Sequence, residues 1–575
     1  MWRVSILLVA AASIAAFAQT TTPPPATTRS WRIPLTPCKA ADGRVEAMCG
    51  SYEVFEDRAA RAGRKIKLNL MVLPANAEKP EPDPVFLIHG GPGISAVHDF
   101  PDFGQLFRKN RDVVIIDQRG AGGSNRLTCD FDDGVAASFA HILPLDRVRP
   151  CVEELEKIAD LRLYTTSIAM DDLDEVRSAL GYDRINVWGV SYGSTAALDY
   201  LRRHADHVRT ITVEGVIPPG FRAPLPFPHT VQKSMEGLFD RCAADEKCRA
   251  AFPRLRDEFQ AVLDRLAKAP VVFKLTTGPP SMKEPVEITL TRDMFADFLR
   301  HNLYSPLAIA MMPSAIHSAY NGDFEPYALL CYRLSIRPNQ DSLAFGMYLS
   351  ILCSESFPFI TDEEVARVSE GTWVGDFRIR ALRQVCSAWP RANVPTSFIE
   401  PIRSDKPVLL ISGELDPAAQ PEYAAEAAKY LINNRHVVEH NASHVLSGTC
   451  TNDLVMRFIE KGSAEGLDTS CVDQIKLPPF KLREPKAITV PQKILTDYVG
   501  TYELTPTLSV SITLEGGTLM EQVTGQAKLP IFAESETMFF LKAVDAQIEF
   551  FKNEKGEVTH LLVHAYGHDT KGVRR

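Results

Sequence analysis

The feature that most restricts the fold is the stretch Asn186-Val187-Trp188-Gly189-Val190-Ser191-Tyr192-Gly193-Ser194. An apolar run leads into a turn of small residues, and helix-forming residues follow from Thr195 to Arg203. A strand that reverses this sharply into a helix leaves no room for side chains beside its central residue, so glycine is needed at Gly189 and Gly193. The turn lifts the Ser191 hydroxyl above the sheet edge and aims a helix N-terminus at it, where developing negative charge is favoured. A lone Gly-x-Ser-x-Gly also fits a plain turn, so its surroundings decide.

Apolar runs and helical segments alternate around it. Pro84 to Ile88, Val113 to Ile116, Arg209 to Val213, Pro407 to Ser412 and Arg435 to Glu439 read as strands. Met170, Leu173, Val176 and Leu180 line one face of a helix that ends at Gly181. This rhythm predicts a mostly parallel sheet covered on both faces. Ser51 to Arg58 and Lys65 to Val72 alternate as an antiparallel hairpin. From Pro219 to about Arg403 the pattern is mainly helical, which suggests a cap inserted over the C-terminal ends of the strands. Asn452 to Lys461 reads as an amphipathic helix closing the body. After about Lys486, the runs Leu508 to Leu514, Met538 to Ala543, Gln547 to Lys552 and Val558 to His564 predict a small antiparallel β domain.

A serine nucleophile needs a base, the base an orienting acid, and the oxyanion hydrogen-bond donors. Asp416 lies just past the Pro407 to Ser412 strand, with Glu414 as the competing carboxylate. His444 lies in the loop after the next strand. The expected catalytic set is therefore Ser191, Asp416 and His444, in the chain order nucleophile, acid, histidine. His89-Gly90-Gly91-Pro92-Gly93 follows a strand beside Ser191, and the N–H groups of Gly91 and Tyr192 are the expected oxyanion donors. Asp117 to Ser124 is expected to shape the floor of the site, with Arg119 in a structural ion pair or, less simply, on substrate. Its glycines lack the lysine of a phosphate loop. His436, His440 and His444 are four apart, but that spacing does not converge in a strand and loop, so no metal is expected. No cofactor is expected either.

The chain has 575 residues, too many for one compact core. A net charge of −9 gives no basic footprint, so nucleic acid is not an expected partner. Arg3, the apolar stretch Ile6 to Ala16 and the small residues of Ala16-Phe17-Ala18 read as a secretory signal peptide, the alternative being an uncleaved anchor. No other apolar run is long enough to span a membrane. Thr20 to Ser30, rich in Thr and Pro, reads as a disordered leader. Eleven cysteines fit an exported chain, periplasmic or extracellular. Neighbour spacing suggests Cys38 with Cys49, Cys129 with Cys151, Cys242 with Cys248 and Cys450 with Cys471; Cys353 with Cys386 is favoured next, leaving Cys331 free. The expected organisation is signal peptide 1–18, leader 19–48, core 49–218, helical cap 219–403, core 404–485 and β domain 486–575.

With these residues in view, the chain resembles a known family. His89-Gly90-Gly91-Pro92-Gly93, Asp117-Gln118-Arg119-Gly120 and Gly189-Val190-Ser191-Tyr192-Gly193 together look like the prolyl aminopeptidase and tripeptidyl aminopeptidase family of α/β-hydrolase serine peptidases. The resemblance runs from about Cys49 to Gln474 and includes Tyr164-Thr165-Thr166. Cys353-Ser354-Glu355 and the run from Cys386 to Trp389-Pro390 bring it nearest the secreted tripeptidyl-type branch. It implies an α/β-hydrolase fold and release of residues from the free N-terminus of peptides. It also implies that Glu355 and Glu214 face the substrate amine, as carboxylates suit an ammonium group; a purely structural acid is the alternative for each. The C-terminal domain lies outside the usual aminopeptidase, and Tyr498-Val499-Gly500-Thr501-Tyr502 resembles the start of lipocalin-like appendages on exported hydrolases. An esterase or amidase with the same three residues is the runner-up, and a non-catalytic binding protein the third reading. The number of residues released and the oligomeric state are not encoded in any motif.

Overall fold

The computed structural model describes residues 31–575 apart from 132–133, 277–281, 283, 337–341, 445–447, 483–486, 506–507, 527, 542–545, 554 and 566–567. The expected signal peptide, 1–18, and the Thr20 to Ser30 leader lie outside the described residues. The chain divides into a unit ending at Leu477 and a second comprising Pro478–Arg575.

The first unit is built on a nine-stranded sheet. Its first seven strands are β1 (Thr36–Ala40), β2 (Val45–Phe55), β3 (Lys65–Leu73), β4 (Val85–Ile88), β5 (Val113–Ile116), β6 (Ile185–Val190) and β7 (Val208–Glu214). An insertion then carries a short antiparallel hairpin, β8 (Val271–Leu275) and β9 (Val286–Leu290), and the sheet resumes with β10 (Val408–Gly413) and β11 (Asn434–Glu439). The spatial order is β1-β2-β3-β5-β4-β6-β7-β10-β11. Pairing is antiparallel from β1 to β5 and parallel from β5 to β11. Two expectations need correction. The segment 19–48 is not all leader, because Thr36 already enters the sheet as an edge strand held to β2 by the Cys38–Cys49 bridge. The cap is mainly helical, but its described residues also hold the β8–β9 hairpin, which the helical reading lacks.

The continuous apolar strands are explained by two separate cores, one on each face of the sheet. Phe86 and Ile88 of β4, Val114 and Ile116 of β5, and Val187 of β6 face one core. Val85, Leu87, Val113, Ile115 and Trp188 face the other. A strand buried on both sides has no polar positions to alternate with. On the first face lie helices α1 (Thr166–Leu180) and α2 (Tyr192–Arg203). Thr165 caps α1 by accepting from the Ile168 N–H, and Gly181 ends it in the left-handed conformation, φ 92°. Within the insertion, α3 (Arg292–Asn302), α4 (Phe345–Glu355) and α5 (Phe377–Ala388) face the site. The helix Thr449–Lys461, here α6, puts Leu454, Val455 and Phe458 on the second core.

Five disulfides join Cys38–Cys49, Cys129–Cys151, Cys242–Cys248, Cys353–Cys386 and Cys450–Cys471: the four pairs that neighbour spacing suggests and the one favoured among the remaining three cysteines. Cys331 is free and buried. No helix among the described residues is long and apolar enough to cross a membrane.

In the second unit, eight antiparallel strands close into a barrel. They are β12 (Gly500–Thr505), β13 (Leu508–Glu515), β14 (Thr518–Val523), β15 (Leu529–Ala533), β16 (Met538–Leu541), β17 (Ala546–Lys552), β18 (Val558–Ala565) and β19 (His568–Arg574). Val510, Ile512, Leu519, Ile531, Phe539, Ile548, Phe550 and Leu561 fill it. Closure removes exposed sheet edges.

Candidate active site

Parallel strands end together, so residues just beyond them meet at one rim. His89 follows β4, Ser191 follows β6, Glu214 ends β7, Asp416 follows β10 and His444 follows β11. The Ser191 turn is as tight as the sequence suggested. A Cβ at Gly189 would lie 2.2 Å from the Gly193 carbonyl oxygen, and one at Gly193 would lie 2.3 Å from that of Ile88. Ser191 itself has φ 57° and ψ −126°, a strained conformation for a side-chain-bearing residue, and its N–H is anchored on the Glu214 carbonyl at 2.9 Å.

The three expected catalytic residues come together. His444 Nε2 lies 2.9 Å from Ser191 Oγ, and His444 Nδ1 lies 2.8 Å from Asp416 Oδ2. Asp416 is fully buried, and its Oδ1 accepts from the N–H groups of Ala418 and Ala419 at 2.7 and 2.8 Å. Those bonds hold the carboxylate toward the imidazole. Glu414, the competing acid, turns away and pairs with Arg241 at 2.6 Å. The loop holding His444 is fixed by Ser443, whose hydroxyl donates to the carbonyls of Leu303 and Leu415.

The glycine loop after β4 lies against the serine. A Cβ at Gly90 would sit 2.9 Å from Ser191 Cβ, so this backbone can approach a substrate carbonyl held there. Gly91 has φ 113°. The loop is also tied to the cap, because Ala344 N–H donates to the Gly93 carbonyl at 3.0 Å. Tyr192 opens α2, and its N–H belongs to the unpaired first turn of that helix.

A cavity of about 1010 Å³ lies above these groups, with a floor of His89, Gly91, Ser191, Tyr192 and His444 and walls from the cap. Glu355, at the end of α4, lines it and is 4% exposed. Its carboxylate accepts from Thr166 N–H at 2.5 Å and Thr166 Oγ at 2.6 Å, and Thr166 Oγ is 2.9 Å from the Tyr192 hydroxyl. Burial pushes its carboxyl up to about 8, against the lowering effect of those two hydrogen bonds. Glu214 also lines the cavity; it accepts from Trp188 Nε1 at 2.6 Å, and burial pushes it up to about 8 as well.

Arg119 is fully buried and forms a two-pronged pair with Asp172, at 2.7 and 2.9 Å, while donating to the carbonyls of Glu56 and Leu163. It ties α1 to the strand ends and does not face the cavity. His436 bonds Ser412 at 3.0 Å and His440 lies 3.5 Å from Glu414, so neither joins His444. Asp174, His204 and His207 have ligand atoms within 4.8 Å of one another, but Arg177 bonds both Asp174 and His207 and places a cation where an ion would sit.

The cap supplies cavity residues that no sequence motif marked: Asp297, Arg300 and His301 on α3, Tyr304 just beyond it, and Arg378 on α5. The Tyr304 ring lies over His444 with centroids 4.5 Å apart. In sequence these residues read as the polar face of amphipathic helices, and only the cap's placement over the sheet could have singled them out.

An α/β-hydrolase fold family matches residues 83–311, a TAP-like protein family residues 372–471, and a domain of unknown function, DUF3471, residues 484–573. The chain is 27% identical over 250 residues to serine protease Hip1 of Mycobacterium tuberculosis, covering 40% of this chain and 47% of that protein. It thus spans about half the length of the Hip1 proteases it matches. It is 24% identical over 467 residues to tripeptidyl aminopeptidase of Streptomyces lividans, covering 74% of this chain and 83% of that one. To proline iminopeptidase of Neisseria gonorrhoeae it is 30% identical over 139 residues, covering 24% of this chain and 34% of the relative. Strand order, the strained serine turn and these matches agree: the chain has an α/β-hydrolase fold, a segment similar to TAP-like proteins, and relatives named tripeptidyl aminopeptidase and proline iminopeptidase.

Proposed function

We propose that this chain is an exported serine exopeptidase that releases residues from the free N-terminus of peptides through an acyl-enzyme. The observation that carries this reading is the relay Ser191–His444–Asp416, with spacings of 2.9 and 2.8 Å, at the base of a cavity walled by a buried glutamate. His444 takes the Ser191 proton as Oγ attacks the scissile carbonyl, and Asp416 holds the imidazole tautomer and steadies the imidazolium. The N–H groups of Gly91 and Tyr192 donate to the oxyanion. His444 then gives its proton to the departing amine, the C–N bond breaks, and water, deprotonated by the same imidazole, cleaves the ester.

Glu355 and Glu214 suit the other half of the specificity. A carboxyl that burial keeps protonated is primed to ionise when a cation arrives, because the ammonium group replaces the lost solvation. Export to the periplasm or beyond is supported by the five disulfides, which persist in oxidising compartments.

Two measurements test this. Ser191→Ala should abolish turnover with the fold intact; retained hydrolysis would exclude Ser191 as nucleophile. Matched peptides with free and acetylated N-termini should differ at least tenfold in kcat/KM. Equal rates on both would overturn the exopeptidase assignment in favour of an esterase or amidase.

A further inference from the structure

The cavity has a second charged wall that the chemistry above leaves unused. Three arginines of the insertion line it, and they are not equivalent: Arg222 is paired with Glu364 at 2.9 and 3.0 Å. Arg378 is neutralised by Asp297, which it grips through two bonds of 2.7 and 2.5 Å. Arg300 has no acid. Among the described residues, its partners are the Tyr304 hydroxyl, to which Nη1 donates, and the His301 ring, 2.9 Å from Nη2. Its guanidinium lies over the Phe227 ring at 4.6 Å and the Tyr304 ring at 5.4 Å. Nε is buried and donates to nothing. Arg300 is only 8% exposed, yet it lines the cavity.

A buried guanidinium held by aromatic faces and neutral groups is incompletely satisfied. His301 does not offer a negative partner, and burial together with Arg300 and Arg378 keeps its ring from taking a proton. Nε–H is enclosed, so what Arg300 can offer a ligand is the second N–H of each terminal nitrogen, paired donors in one plane that match a carboxylate. Held against two rings, those donors are pre-oriented, so little side-chain entropy is lost when an anion docks.

Its position identifies which part of a substrate it meets. Arg300 bonds Tyr304, and Tyr304 covers His444, the group that hands a proton to the leaving amine. Whatever lies along Tyr304 therefore lies along the leaving fragment. Glu355 connects to the opposite partner of the reaction, through Thr166 to Tyr192 at the oxyanion helix. We propose that Arg300 binds a carboxylate on the leaving fragment, so that the enzyme favours peptides whose C-terminal remainder ends, or begins, with an acid close to the cut. The inference rests on the triad reading above, which assigns the side of the cavity. The carboxylate has two sources, the free C-terminus of a short peptide and an Asp or Glu side chain just after the scissile bond.

The test uses the full-length enzyme and two peptide pairs. One pair is short and ends in a carboxylate or a carboxamide; the other carries Glu or Gln immediately after the scissile bond. A charge-assisted bond should favour the acid in at least one pair by about 10-fold or more in kcat/KM. The pair that responds identifies the source. In Arg300→Gln the acid-to-neutral ratio should fall to about one, and Arg300→Lys should restore part of it, as a charge without the paired donors. Absence of any acid preference in the wild-type enzyme overturns the proposal without a variant, as does an unchanged ratio in Arg300→Gln. Failure of the exopeptidase assignment shows elsewhere, as hydrolysis by Ser191→Ala or indifference to N-acetylation.

Discussion

Glu355 illustrates what burial does to a single residue of the candidate site. Its folded pKa, about 8, lies above the ordinary carboxyl value, so between pH 4.5 and about 8 the folded chain holds a proton that the unfolded chain has released. Its contribution is fully present below about pH 4.5 and is lost as pH rises through about 8. Glutamine has no such proton and can still accept from Thr166 N–H. Glu355→Gln should therefore gain on the wild type in melting temperature as pH rises from 5 to 8.5, while KM for free-amine peptides rises steeply. A gap in melting temperature that is flat with pH would show that the carboxyl is not protonated in the folded state. The same scale shows how much the sequence revealed. Ser191, Asp416 and His444 were legible because each sits at a strand end, beside glycines or in a short loop, and chemistry requires those three types in that order. Choosing Asp416 over Glu414 was also possible, although the Arg241 partner that draws Glu414 away lies 173 residues distant in sequence. Arg300 was not legible, since a buried cation and a solvated one look alike in a helix such as Arg292–Asn302.

Among elements, the junction of β6 and α2 carries the greatest steric demand. A methyl group at Gly189 meets backbone, the Gly193 carbonyl at 2.2 Å, which cannot rotate away as a side chain could. Gly189→Ala should cost about 1–3 kcal/mol from overpacking and displace Ser191 from His444. Thermal melts and turnover should fall together; a variant as stable and active as wild type would contradict the geometry. The strands of the sheet were readable because burial on both faces leaves uninterrupted apolar runs. The edge strand Thr36–Ala40 was not, since three of its five residues face water and its composition resembles a leader. The hairpin Val271–Leu275 with Val286–Leu290 was hidden for a similar reason: the two short strands are eleven residues apart and lie amid helices.

For the whole molecule, the two compact units behave differently as sequences. The first is a layered sheet whose pattern alternates on a long period. The second has short strands, of which four are legible in sequence and four are not: Gly500–Thr505, Thr518–Val523 and His568–Arg574 are rich in polar residues, and Leu529–Ala533 is only five residues long with a proline inside. Its barrel is closed and has its own core around Tyr498, Tyr502, Phe539 and Phe550. A chain of residues 488–575 should accordingly fold alone, giving a β-type circular dichroism spectrum and one cooperative melt. A featureless, non-cooperative unfolding of that segment would show that the barrel core is insufficient by itself.

The division of labour within the first unit has a bearing on how such enzymes diversify. Ser191, Asp416 and His444 hang from the sheet, whereas Glu355, Arg300 and Arg378 hang from the insertion. On the proposed assignment, bond-breaking power and most of the substrate preference lie on separate stretches of gene, Glu214 at the end of β7 being the one recognition group on the sheet. Drift in the insertion can retune what is eaten while leaving intact the means of eating it.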